Sequence, residues 1–210
     1  MSLISTSDLR IWLSIEEGDK GPNTKLDSVS KAVEDFVDSY CMRPLEARTY
    51  FNHFDYSIMD GQGTSWIYLP IFPVSYVSSV YVDNDRDFAS SALIASDDIF
   101  FYSNGKVVSE GGYFTRGRRN VRIDYTAGYA PVVGGTHNSA ISTYPIPLDL
   151  KQVLIEMAVD VYKEGATAIH TVESQTGEIK MIQMLSKNSF WRNVLNKYKD
   201  FSASLRGREE

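Results

Sequence analysis

His53 and Asp55 stand two residues apart in His53-Phe54-Asp55. On an extended strand that spacing puts an imidazole and a carboxylate on one side, as in a metal corner or an acid/base pair, and a small hydrolase is the activity such a pair would serve. The remaining histidines, His137 and His170, fall in stretches that read as loops, and no zinc-like spacing joins the three. Cys41 is the single cysteine, so no intrachain disulfide can form; without a neighbouring His or second Cys it reads as a small core residue. The chain has no G-x-S-x-G elbow, no G-x-x-x-x-G-K-S/T loop and no G-x-G-x-x-G fingerprint. Asp149, Glu156 and Asp160 read as the solvated face of a helix. The expectation is a protein with no catalytic residue, no cofactor and no bound metal.

A second constellation is basic. Arg116, Arg118, Arg119 and Arg122 lie close to Tyr113 and Phe114. Cations interleaved with aromatic rings can hold a single strand or a phosphate. The same stretch, GGYFTRGRRN, also reads as a solvated turn ahead of a strand. These four arginines are the candidate contact to DNA or phosphate.

The 210 residues carry a net charge of −6, which gives no overall nucleic-acid signature. The charge is uneven: residues 1–64 hold 11 acids against 6 bases, whereas residues 180–208 hold 7 bases and one acid. Hydrophobic residues make up 43 % and charged residues 23 %, the balance of a soluble globular protein. The longest mostly apolar run, Trp66–Val74, contains two prolines and is too short to span a membrane. Asp8 and Arg10 interrupt the place where a secretory leader needs an apolar core, so the expectation is a protein made in the cytoplasm.

The elements that must position these residues follow from periodicity. Ser5 and Asp8 have capping-box spacing and open a short helix with Leu9, Trp12 and Leu13 on its apolar side. Thr24 and Asp27 mark a second helix, with Leu26, Val29, Val33, Phe36, Val37 and Tyr40 on one face, ending before Pro44. From Ala47 to Tyr129 the period falls to two. Strands are expected at 49–51, 66–69, 77–82, 99–102, 106–109 and 121–125. Asp60-Gly61-Gln62-Gly63 reads as a turn, and Asn104-Gly105 as a hairpin. Residues 131–144 form a loop.

The chain is organised around residues 145–165. Pro147 suits a first helical turn, Asp149 complements the helix dipole, and Gly165 can end the helix. Its apolar arc is about twice the roughly 100° that a surface helix needs. Such an arc is either buried within its own domain or shared between its own core and another subunit. In the second case Leu154, Ile155, Ala158, Val159 and Tyr162 are the subunit interface. Residues 166–180 are polar and aperiodic and read as an arm ordered by a partner. Ser189 caps a last helix with Phe190, Trp191, Val194, Leu195 and Tyr198 along one side. That helix either folds back on its own core or docks on a neighbouring protein. The tail from 202 reads as frayed.

Three passages resemble the head-tail connector (adaptor) family of tailed bacteriophages and gene-transfer particles. One is Ser7-Asp8-Leu9-Arg10-Ile11-Trp12-Leu13 followed by the helix ending Tyr40-Cys41-Met42-Arg43. Another is Asp60-Gly61-Gln62-Gly63, Ile67-Tyr68-Leu69, Pro73-Val74 and Val77-Ser78-Ser79-Val80. The third is Tyr125-Thr126-Ala127-Gly128-Tyr129, a loop, and Ile146-Pro147-Leu148-Asp149-Leu150-Lys151 running into Met157-Ala158 and Tyr162. The resemblance implies an α+β fold: a small helical bundle (1–46 and 145–165), an antiparallel β-rich insertion (47–130) between the second and third long helices, a loop (131–144), and an extended C-terminal arm and docking helix (166–210). It implies a non-enzymatic virion protein of the neck, a homo-oligomeric ring that is usually twelvefold in the family. Its partners would be the portal protein, the next neck or tail-completion protein, and genomic DNA passing without specific binding, with no membrane. Phe190, Trp191, Val194, Leu195 and Tyr198 would then be the portal-docking residues. The alternatives are another neck or tail-completion protein, or a nucleic-acid-binding module using Arg116–Arg122.

Overall fold

The computed structural model describes residues 2–16, 18–53, 55–130, 144–164, 183, 185, 186 and 188–199. Residues 131–143 of the expected loop at 131–144, the polar arm, His137, His170, Gly165 and the tail from 200 lie outside the described residues, and Tyr144 is in a two-residue strand, Tyr144–Pro145. The fold is α+β and divides into two compact units, Met1–Pro44 with Pro145–Glu210, and Leu45–Tyr144.

The first unit is helical. Helix α1 (Thr6–Leu13) opens on a complete capping box, in which the Ser5 hydroxyl accepts from the Asp8 N–H and the Asp8 carboxylate accepts from the Ser5 N–H. Helix α2 (Asn23–Cys41) starts one residue before the expected Thr24, without a side-chain cap. It buries Leu26, Val29, Val33, Phe36 and Val37, the stripe its spacing predicts. It stops where Met42 turns left-handed, two residues before Pro44. Helix α3 spans Leu148–Lys163, with Pro147 at its cap rather than in its first turn. Helix α4 (Ser189–Tyr198) is capped by the side chain of Asn188, not by Ser189 as expected.

The breadth of the apolar arc on α3 has an intramolecular cause. Helices α1, α2 and α4 all pack on it. Leu150, Val153, Leu154, Met157 and Ala158 are fully buried, and Ile155 and Val159 are 5 % exposed. A helix with neighbours around most of its circumference needs no partner chain to explain a wide arc.

The second unit is built of strands. Strand β7 (Gly117–Ala127) is its axis. Strand β4 (Val74–Val82) pairs antiparallel along one edge of β7. On the other edge β1 (Arg48–Tyr50) takes the C-terminal end and β2 (Ile58–Gly61) the N-terminal half. A smaller antiparallel sheet has the order β3 (Trp66–Tyr68), β6 (Lys106–Ser109), β5 (Ile99–Phe101). The core contains residues from both sheets, among them Tyr50, Ile67, Val80, Val107, Phe114, Ile123 and Tyr125.

One local reading changes. Asp60 and Gly61 belong to β2, which period-two counting misses because the strand is four residues long and ends in glycine. Gly61 is required by crowding: a Cβ there would sit 2.0 Å from the Thr115 carbonyl oxygen. The turn begins at Gly63, whose φ is +78°. The Asn104-Gly105 hairpin forms as expected, with a three-residue loop. The Gly105 N–H donates to the Tyr102 carbonyl, and the Tyr102 N–H donates to that of Lys106, leaving Gly105 at φ +89° as the left-handed residue of a bulged turn.

Candidate functional site

His53 and Asp55 lie in the irregular connection between β1 and β2, not on a strand. The His53 ring stacks on Tyr56 at 4.8 Å and meets Tyr50 edge-on at 6.3 Å. Its Nδ1 accepts the backbone N–H of Asp55 at 3.3 Å, so the link between the two is backbone to ring. Among the described residues no three His, Cys, Asp or Glu side chains are grouped to hold a metal ion. Cys41 is fully buried with Sγ 3.8 Å from the Leu195 carbonyl, and burial pushes its thiol up to about 12, outside the range of a reactive thiolate.

The four arginines do not form one basic face. Arg116, Arg118 and Arg119 are exposed, and the Arg119 N–H donates to Asp60 Oδ1 at 2.7 Å. The next residue, Asn120, bonds Asn84, in the loop that carries Asp83, Asp85 and Asp87, so carboxylates stand beside the turn. Arg122 is withdrawn from solvent, its side chain 13 % exposed. Its guanidinium lies 4.1 Å from the Tyr81 ring centroid and 5.4 Å from that of Phe88. Its Nε is 3.3 Å from Oδ2 of fully buried Asp124. The same carboxylate accepts the Asn52 N–H and the Ser79 hydroxyl, each at 2.9 Å. Arg122 and Asp124 therefore brace β7 against its neighbours, a role that pairwise spacing in the sequence does not disclose.

The five α3 residues expected at a subunit interface belong to the chain's own helical unit. Leu154 and Ala158 are fully buried, Ile155 and Val159 nearly so, and half-buried Tyr162 carries the Lys25 ammonium 4.3 Å above its ring. Of the five C-terminal residues expected to dock, Trp191, Val194 and Leu195 are buried. The fold-back alternative is the arrangement observed for this helix, and Phe190, 46 % exposed, is the large apolar residue of the set that remains presented to solvent.

Polar bonds ring the apolar seat of α4. The Trp191 indole N–H donates to Glu156 Oε2 at 2.6 Å, and the Tyr40 hydroxyl donates to Asn196 at 2.9 Å. Arg43 Nε donates to the Tyr198 carbonyl at 2.8 Å. Asp149 accepts from the Tyr198 hydroxyl at 2.6 Å and from Lys197 at 3.1 Å. Burial raises the Asp149 pKa, but the bonds from Tyr198, Lys197 and the Leu150 N–H outweigh it and hold the carboxyl below its ordinary range. A cleft of about 340 Å³ beside this seat is lined by Trp12, Glu156, Val159, Asp160, Lys163, Asn188 and Trp191. The apolar side chains that the helical unit leaves exposed include Ile11 (77 %), Trp12 (50 %) and Leu148 (80 %).

No family model matches the sequence, and no curated protein matches it. The fold has neighbours among solved structures. One is a chain in the neck of an empty GTA particle computed with C6 symmetry: the two share 17 % identity over 77 % of this chain and 78 % of that one, with a TM-score of 0.52. Another is in the neck of a native GTA particle computed with C12 symmetry, at 15 % identity over 78 % and 82 %, with a TM-score of 0.43. At such identity the likeness is one of fold.

Proposed function

We propose that this chain is a structural neck protein, a head-tail adaptor that assembles as a ring beneath the portal of a tailed-phage or gene-transfer particle. The fold likeness to a chain from the neck of a GTA particle, covering 77 % of the sequence, is the observation that carries the reading. The role needs no bond chemistry; apolar burial between copies supplies the free energy. With the arc of α3 covered internally, ring contacts fall to residues still exposed on the helical unit, Ile11, Trp12 and Leu148 foremost. Phe190 and the polar segment before α4 are the proposed contact to the portal. The ring docks the next neck or tail protein and leaves a passage through which DNA moves without specific binding.

Light scattering on the purified protein, alone and mixed with the portal, tests this. The expected result is a ring-sized mass with the portal, or already without it. A folded chain that remains a monomer in both samples overturns the proposal.

A further inference from the structure

The connection between α3 and α4 is far longer than the fold requires. Lys163, at the end of α3, and Asn188, the cap of α4, line the same cleft. Helices that close together are ordinarily joined by about 2–8 residues. Here residues 164–187 intervene. Leaving 183–187 aside, a chain of 18 residues, the number from 165 to 182, can span up to about 60 Å, well beyond the roughly 30 Å width of a small domain.

Among the described residues, α4 is held chiefly by α2, by Arg43 just beyond it, and by α3, with Trp12 of α1 beside Trp191. Trp191, Val194 and Leu195 enter the groove, and Tyr40, Arg43, Asp149 and Glu156 supply its polar rim. Every copy of the chain carries the same groove and the same helix. A helix that leaves its own groove for the matching groove of a neighbour regains each bond at the same distance, so exchange costs no contact energy. It converts an intrachain interface into an interchain one. Because exchange is neutral, the net free energy of closure still comes from the exposed Ile11, Trp12 and Leu148; three side chains are a small area against the roughly 800 Å² per partner of a standard interface, and an exchanged helix adds an interchain contact to it.

We infer that in the ring α4 of each copy occupies the α2–α3 groove of the next copy, so that the subunits are joined head to tail by exchanged C-terminal helices. This inference rests on the ring reading above. Passing the helix in one direction is heterologous and closes when the rotation closes. In the isolated chain the same helix covers its own groove, which keeps Trp191 and Leu195 out of water until neighbours are present.

The Asp149–Lys197 ion pair allows a direct test, because a carbodiimide joins such a pair into an amide without a spacer. Copies labelled with nitrogen-15 and unlabelled copies are mixed before assembly on the portal, cross-linked, digested and weighed. The expected result is that about half of the 149–197 linked peptides carry one heavy and one light partner, as random mixing of exchanged helices requires, and that Lys197→Arg abolishes the link. A ring whose linked peptides are all heavy–heavy or light–light overturns the exchange and leaves the ring reading standing; that outcome includes a groove filled only by the copy's own α4. Failure to form any ring overturns both. A second variant, with 165–182 cut to six residues, is expected to keep the monomer's helix content and lose the ring, whereas a variant with 165–182 replaced by 18 Gly and Ser residues, which keeps the reach but not the side chains, is expected to retain it. Retention of the ring by that variant counts against exchange.

Discussion

Leu154→Ala separates a core reading of α3 from an interface reading. Leu154 is fully buried inside the helical unit of a single chain. Removing three carbons at about 0.8 kcal/mol each costs about 2.4 kcal/mol in transfer free energy. The cavity left behind raises the loss to between about 2.7 and 5 kcal/mol, according to how far α1, α2 and α4 collapse into it. That is a large share of the roughly 5–15 kcal/mol stability of a typical domain. Urea unfolding followed by tryptophan fluorescence reads it, because Trp12 and Trp191 both belong to the helical unit. A Trp66→Phe background silences the β unit. With a slope of about 2 kcal/mol per molar urea, the midpoint should fall by roughly 1.3–2.5 M at unchanged slope. A residue whose burial came only from a ring neighbour would shift the monomer by no more than about 0.5 kcal/mol. A midpoint change below about 0.3 M would refute the packing argument and return Leu154 to the interface.

Ile11→Ser should do the reverse, leaving monomer stability within about 0.5 kcal/mol while weakening ring assembly, as light scattering would show. Asp124→Ala removes the carboxylate that is ion-paired with Arg122 and accepts from Asn52 and Ser79, and should cost the β unit about 3–5 kcal/mol by chemical denaturation, whereas a loss under about 1 kcal/mol would mean the network is not formed. Asp8, bonded to Lys151, and Asp149 both have folded pKa values below the ordinary 3.8, because hydrogen bonds outweigh the opposing effect of burial. Their contribution is therefore present above that value and is lost as pH falls through the lowered folded values, so α1 and α4 should loosen from α3 only below about pH 4 in a circular-dichroism titration. Asp149→Asn should remove the α4 part of that acid sensitivity.

The elements legible from the residues alone are those whose signals are local. The Ser5–Asp8 capping box, the Leu26–Val37 stripe and the Asn104-Gly105 hairpin each depend on neighbours within a few positions, and each forms where its spacing puts it. The α+β class follows from the same signals, as one stretch of period two stands between helical stretches. What tertiary structure decided is which partner each side chain meets. Gly61 resembles a turn glycine because crowding by the Thr115 carbonyl, 54 positions away, leaves no local trace. Arg122 stands with three other arginines in sequence, yet Tyr81, Phe88 and Asp124 remove it from them. The apolar arc of α3 states how much surface must leave water and not whose surface covers it. That is so because the hydrophobic effect is non-directional, and only the folded positions of α1, α2 and α4 assign the cover to the chain itself.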